Sequence, residues 1–355
     1  MSEKVGAAMI GCGSIGRCHG SGLRLAPNVR FAAVADLYED RARAYKEEYG
    51  AEAYYSNVAE MLKCDDIQFV VVATPVNVHA ENTIQALEAG KHVMVQKPMA
   101  MSVEECDRMV AAARRNDRKL MNCYVRYFHP AYYQAKRLID QGAIGDVFIM
   151  RSTLAWHMSA THWKMNPAIA GGGIMMDGHV HMVAMVKYYT GEEPESVFVS
   201  GGTLASNAVG EDTAIMTLRS KRTVSCIVGS SRLIEPCEQT GRYYKEEIEI
   251  HGTKGTIHIM PLKRPSLRLF SEDNRGVGGV NGWIIPRLET VKHQERTSYG
   301  HYNGDEDPWT GLHKYFADCV AKNEEPITNG EEGRRYLEIV QAGYESMRSG
   351  KVVNV

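Results

Sequence analysis

Along the first third of the chain, short apolar runs alternate with stretches of helical spacing. The runs Val5–Ile10, Val29–Ala35, 69–73, 91–95 and 119–124 read as strands. The third, Phe-Val-Val-Val-Ala, is apolar on both faces and rich in β-branched residues, which predicts a strand inside a parallel sheet. Between the runs the spacing predicts helices over Ser14–Leu25, 38–49, 56–63, 78–89 and 102–116. Ser56 is the expected cap of the third helix and Gly90 the stop of the fourth. Ser102-Val103-Glu104-Glu105 is a capping box opening the fifth. Strands separated by helices of this length predict a doubly wound parallel sheet of the α/β class.

From about residue 125 the pattern changes. A helix over 130–141 and a strand over 146–155 precede a loop ending in Gly171-Gly172-Gly173, and 174–189 reads as one helix. Strand-like runs follow at 196–203, Thr213–Arg219, 223–230, 244–251, 255–260 and 267–270, separated by turn signals. A run of antiparallel strands after helices predicts an α+β domain. The stretch 273–282 is a glycine-rich loop, about 284–306 is polar and irregular, and 309–322 and 331–349 read as closing helices. The expected division is a doubly wound α/β domain over 1–124 and a second, α+β domain over 125–355.

Ligands of doubly wound sheets bind beyond the carboxyl ends of the strands, where Gly11, Asp36, Thr74, Lys97 and Tyr124 fall. The first strand ends in Gly11-Cys12-Gly13-Ser14-Ile15-Gly16 and a helix follows. Gly11 allows a tight turn, Gly13 lets backbone N–H groups approach a pyrophosphate, and Gly16 lets helix and strand pack closely. The helix start at Ser14 and Ile15 offers unpaired N–H groups and the positive end of a dipole. Asp36 ends the second strand about 20 residues after Gly16, where a dinucleotide fold needs its ribose carboxylate. An acid there favours NAD, while Arg41 and Arg43 nearby leave NADP open.

Composition adds mainly exclusions. A net charge of −2 over 355 residues does not point to nucleic acid or an anionic membrane. No apolar run is long enough to span a bilayer, and Met1-Ser2-Glu3-Lys4 leads into the first strand with no expected signal peptide. Eight cysteines without Cys-x-x-Cys spacing suit reduced thiols in the cytoplasm. Cys12 reads as a small filler within the glycine turn. His157, His162, His179 and His181 raise the question of a metal. However, His179 and His181 do not share a helix face and no cysteine lies at ligand spacing, so no metal is expected.

Two places could carry chemistry. Lys97, at a strand end and before Pro98, can polarise an oxygen on a substrate carbon, and the X-Pro bond there is a candidate for the cis form. Asp177 and His181 lie at i and i+4 of a predicted helix and would project together as an acid/base pair, with Gly171-Gly172-Gly173 giving an open backbone approach.

These residues resemble the glucose–fructose oxidoreductase/inositol 2-dehydrogenase (Gfo/Idh/MocA) family over nearly the whole chain. The marks are Gly11–Gly16, Asp36, Ala73-Thr74-Pro75 with His79, Ala89-Gly90-Lys91-His92-Val93, Lys97-Pro98, Arg126, Gly171–Gly173 with Asp177 and His181, Glu211-Asp212-Thr213, and Gly252-Thr253-Lys254-Gly255. The resemblance implies an N-terminal Rossmann domain and a C-terminal domain with a large open, mainly antiparallel sheet. It implies NAD(P), a sugar, glycoside or cyclitol substrate, and dimers or tetramers formed through that sheet. By the same resemblance Lys97 holds the reacting hydroxyl, His181 takes its proton and Asp177 orients the substrate. Thr74, Pro75, His79 and Gln96 belong to the cofactor side. Tyr124, Arg126, His157 and Trp163 belong to the substrate side, the last two in an aromatic and histidine-rich stretch over 156–166. The implied activity is hydride transfer between a secondary alcohol and the nicotinamide.

Three departures stand out. Gln96 occupies the position of the family's usual Glu, Val76 that of its Asn, and His179 that of a glycine whose replacement could narrow the pocket. Two rival readings stay open at this point. One is glycoside cleavage through transient oxidation at C3 with retained NAD. The other is a nucleotide-binding sensor without catalysis.

Overall fold

Six strands, β1 (Val5–Ile10), β2 (Val29–Ala35), β3 (Ala53–Tyr55), β4 (Phe69–Val72), β5 (His92–Val95) and β6 (Leu120–Asn122), form a parallel sheet in the order β3-β2-β1-β4-β5-β6. The order reverses between β1 and β4, and this is the switch point where such sheets open a crevice. Nearly every residue of β1, β2, β4 and β5 is buried, which is why these strands read as continuous apolar runs rather than alternating ones.

The connecting helices are α1 (Ser14–Leu25), α2 (Glu39–Tyr49), α3 (Val58–Leu62), α4 (His79–Glu88) and α5 (Val103–Arg115). The cap of α3 is Asn57, not Ser56: its side-chain oxygen accepts from Ala59 N at 2.9 Å. The capping box of α5 is present, with Ser102 Oγ accepting from Glu105 N at 3.3 Å. Glu105 reaches back to Met101 N at 3.0 Å.

The computed structural model describes residues 4–233, 235–236, 241, 243–263, 265–272, 283–286 and 307–355. The loop expected at 273–282 and most of 284–306 lie outside the described residues. The chain forms two compact units, 1–129 with 290–335, and 130–289 with 336–355.

The second unit is built on a nine-stranded sheet. Its strands are β7 (Val147–Trp156), β8 (Ser196–Gly202), β9 (Thr213–Arg219), β10 (Val224–Ser230), β11 (Tyr244–Gly252), β12 (Gly255–Ile259), β13 (Leu267–Ser271), β14 (Trp283–Ile284) and β15 (Val353–Asn354), in the order β14-β13-β12-β11-β7-β10-β9-β8-β15. All neighbours run antiparallel except β7 and β10. Alternation is clear: Ala214, Met216 and Leu218 of β9 are buried, and Ile215 between them is exposed.

Helices α6 (Pro130–Asp140), α7 (Pro167–Ala170) and α8 (Val180–Thr190) belong to this unit. The single helix expected over 174–189 is interrupted: a π-turn, Met175–His179, precedes α8. Two closing helices follow. α9 (Pro308–Lys322) is capped by Asp307 and belongs to the first unit, where it packs on α1. α10 (Gly330–Ser349) starts in the first unit and continues into the second.

Candidate active site

In the first unit the glycine turn is organised at the switch point. Gly11 has φ +102°, a region open to glycine, and a Cβ there would lie 2.7 Å from Ala73 O. A Cβ at Gly16 would lie 2.6 Å from Gly11 O, so the start of α1 packs directly on the turn. Gly13 differs: no atom lies within 4 Å of a Cβ built there, and α1 begins without a side-chain cap. The first turn of α1, at Ser14 and Ile15, is thus uncapped by a side chain beside an open Gly13, as an anion site requires. Tyr45 on α2 donates its hydroxyl to Gly13 O and pins the loop.

Asp36 accepts from Cys12 N at 2.8 Å and Tyr38 N at 3.0 Å, which fixes its carboxylate at the end of β2. Arg41 lies 3.8 Å from the same carboxylate and over the Tyr38 ring. Burial, then the Asp36 charge, push the Cys12 thiol up to about 12, so it stays protonated as a filler.

At the ends of β4 and β5, Thr74 is half-buried, Pro75 is exposed and the Lys97–Pro98 bond is cis. His79 is not placed as a cofactor contact. Its Nδ1 lies 3.0 Å from Pro98 O, its Nε2 lies 2.9 Å from Thr74 O, and the ring is buried. It braces the two loops against each other. Burial depresses its pKa, against the opposing pull of the two carbonyls. Gln96 is likewise turned inward: its Oε1 accepts from Lys97 N at 2.8 Å and its Nε2 meets His19 at 2.9 Å. Val76, in the family's Asn position, is buried, and Asn77 is exposed. Tyr124 and Arg126, expected on the substrate side, are 1% and 5% exposed in and before the turn Val125–Phe128.

In the second unit, Glu211 sets the approach to Asp177. Its carboxylate accepts from Gly173 N at 3.0 Å, Met175 N at 2.9 Å and the Tyr344 hydroxyl at 2.7 Å. Burial raises its pKa, and those hydrogen bonds oppose the rise. Gly172 and Gly173 are therefore close-packed rather than an open approach. A Cβ on Gly173 would lie 2.0 Å from Glu211 O, and one on Gly172 would strike Tyr344. The π-turn then presents Asp177, with His181 in the first turn of α8. π-Turns are frequent at functional sites because they re-aim side chains within a helix.

Lys164 was not anticipated. Its Nζ lies 3.0 and 3.1 Å from the two Asp177 oxygens and 5.9 Å from the centre of the Trp163 ring. His162 stacks on Trp163, and its Nδ1 accepts from Lys164 N at 3.2 Å. Trp163, Lys164 and Asp177 thus form one cluster. His157 is exposed and sits beside Tyr243 and Arg232. His179 does not narrow a pocket. It is buried against Gly229 of β10, and burial drives its pKa down to about 3.

Both halves of the chain match the same family. The model described as an oxidoreductase family with an NAD-binding Rossmann fold matches residues 5–124, and the GFO/IDH/MocA C-terminal domain matches 132–258. The chain belongs to the Gfo/Idh/MocA oxidoreductases, with NAD as the cofactor of its first unit. It is 27% identical over 352 residues to a myo-inositol 2-dehydrogenase of Thermotoga maritima, covering 98% of this chain and 97% of that one. It is 29% identical over 306 residues to a levoglucosan dehydrogenase of Pseudarthrobacter phenanthrenivorans, covering 76% and 77%. A solved levoglucosan dehydrogenase in complex with NADH and levoglucosan shares the fold at a TM-score of 0.86 and 23% identity, over 99% of this chain and 100% of that one.

Proposed function

We propose that the protein is an NAD-dependent dehydrogenase acting on a secondary alcohol of a sugar, glycoside or cyclitol. The observation that carries the reading is the joint match of both halves to one oxidoreductase family, whose similar members include the inositol and levoglucosan dehydrogenases. The proposed division of labour follows the halves, cofactor on 1–124 and substrate on 125–355. Gly11, Gly13, Ser14, Ile15 and Gly16 hold the pyrophosphate, Asp36 the adenosine ribose, and Thr74 and Pro75 the nicotinamide side. A carboxylate at Asp36 accepts ribose hydroxyls and repels a 2′-phosphate, so NAD is preferred over NADP.

The bound nicotinamide supplies the hydride acceptor. Lys97 Nζ donates to the reacting hydroxyl and His181 accepts its proton. Asp177, held by Lys164, accepts from a neighbouring hydroxyl. His157 and Trp163 present aromatic surface suited to the apolar faces of a sugar ring. Exposed Ile149, Phe198, Ile215, Val224 and Val228 on one face of the nine-stranded sheet support assembly into a homo-oligomer. The cysteines among the described residues are free thiols, which fits a cytoplasmic location.

The test is a screen of the purified protein with NAD and NADP against inositols, free hexoses, glucosides and anhydrosugars, read by reduced-nicotinamide absorbance. Turnover with NAD on at least one class is expected, falling by about 10²- to 10⁴-fold in His181→Ala, as for loss of a general base. No reduction of either cofactor across the panel would sink the reading.

A further inference from the structure

We propose that Gln96 is a positioning residue for Lys97, acting through an uncharged hydrogen-bond relay, Gln96–His19–His313, in which both imidazoles carry their proton on Nδ1. The proposal rests on the reading of Lys97 as the residue that holds the reacting hydroxyl.

The direction of every hydrogen bond in the relay follows from its two ends. At one end, Lys97 N is a donor and lies 2.8 Å from Gln96 Oε1, so the carboxamide oxygen must face the backbone. The amide nitrogen then faces His19 Nε2 at 2.9 Å, and that ring nitrogen must be the acceptor. His19 therefore carries its proton on Nδ1, which lies 3.0 Å from His313 Nε2. At the other end, Trp309 O accepts only, and it lies 2.7 Å from His313 Nδ1. His313 must hold its proton there, which leaves its Nε2 to accept from His19. The two deductions, made from opposite ends, meet without conflict.

Gln96, His19 and His313 are all buried, so a charge on either ring would be unsolvated. Burial lowers the pKa of both, that of His313 to about 4. Among the described residues no carboxylate acts on either ring. His19 faces His313 and the edge of the Trp309 ring, while Cys18 and Lys97 are the groups acting on neighbouring Cys123, and Lys97 also acts on His79. The packing is specific as well. A Cβ on Gly22 would lie 2.6 Å from His313 Nδ1, so glycine at that place lets α1 and α9 close around the relay.

This arrangement accounts for glutamine where the resembling family has glutamate. A carboxylate oxygen against His19 Nε2 could only accept, and would require a proton on that nitrogen. Passing the change along the chain would set a bare His313 Nδ1 against Trp309 O. The alternative is an imidazolium–carboxylate pair, which titrates. Glutamine keeps the peptide N–H of Lys97 bonded with no charged group in the relay.

The experiment uses full-length protein, with and without NAD, labelled with ¹⁵N on histidine, and reads ring tautomers from pH 6 to 8. His19→Asn and His313→Asn identify the two signals. Both rings are expected as neutral Nδ1–H forms across the range. Gln96→Glu is expected to convert His19 to the doubly protonated form and to add an ionisation to the kcat/KM pH profile absent from the parent. Gln96→Met, which removes both hydrogen bonds at similar volume, is expected to lower kcat by about 10- to 100-fold, the scale of a small misplacement. An Nε2–H tautomer or a charged ring at either position in the parent protein overturns the relay. So does a Gln96→Glu profile that superimposes on the parent's. Full turnover by Lys97→Ala overturns the catalytic reading of Lys97 instead, and the tautomers still report on the relay itself.

Discussion

At the scale of single residues, the three glycines of the fingerprint separate into structural and functional kinds. Gly11 and Gly16 are held by backbone at 2.7 and 2.6 Å from a would-be Cβ, so larger side chains there break the turn. Gly13 has φ −88° and open space around it, so alanine fits the protein alone. Gly13→Ala is therefore expected to leave the urea unfolding midpoint unchanged and to weaken NAD binding by about tenfold or more, because the methyl group occupies the path of the pyrophosphate. Calorimetric titration with NAD beside an unfolding curve reads both numbers. A variant that loses stability and keeps affinity would mean that Gly13 is there for the fold. Lys164 shows the limit of reading residues singly. It stands within a stretch singled out for its aromatics, and only the fold brings its ammonium to Asp177, 13 residues further on.

At the scale of elements, the joint of α1 and α9 gives the sharpest expectation. Gly22→Ala would set a methyl group 2.6 Å from His313 Nδ1 and 2.8 Å from the Trp309 backbone. Helix backbone cannot move aside cheaply, so overpacking of about 1–3 kcal/mol is expected, measured by urea unfolding. A neutral result would show that α9 slides freely. The same joint marks what the sequence could not reveal. The strands of the first unit were legible because burial on both faces forces continuous apolar runs, and β9 matched its expected bounds because one-sided burial forces alternation. The three-residue β3 and two-residue β15 are too short to carry a period. The return of α9 to α1 depends on a contact between residues almost 300 positions apart, for which no local pattern exists. The π-turn was hidden for a related reason. One extra residue in a helical turn leaves the apolar composition of 174–189 untouched and shifts only the direction in which Asp177 and His181 project. His79 and Gln96 follow β4 and β5, and which way each side chain turns is decided by carbonyls and rings from other segments.

At the scale of the whole molecule, acid and association are the properties to expect. His19, His179 and His313 are buried with pKa values depressed by desolvation, to about 4 for His313 and about 3 for His179. Unfolded histidines titrate near 6.5, so as pH falls below that value the unfolded chain binds protons that the folded chain refuses. Stability is thus complete above about pH 7 and is lost on the way down towards pH 4, by about 1.4 kcal/mol per pH unit for each such histidine. Urea unfolding at pH 7 and pH 5.5 reads the slope while most carboxylates remain ionised; a flat profile would contradict the burial of these rings. Any association is expected to run through the nine-stranded sheet. One face carries the buried residues Val197, Ala214, Met216, Leu218 and Ile227. The other exposes Ile149, Phe198, Ile215, Val224 and Val228, and the register sets Ile215 opposite Val228 and Ile149 opposite Val224, so they form a patch rather than scattered points. Arg151 and Arg219 share this face, and exposed apolar pairs set among such charges suit a surface that a second copy covers. Ile215→Glu places a charge in the middle of that patch without touching the inner face. The parent protein is expected to sediment as a dimer or larger assembly and Ile215→Glu as a monomer with unchanged far-ultraviolet circular dichroism. A monomeric parent, or a variant that still assembles, would remove the sheet face as the interface.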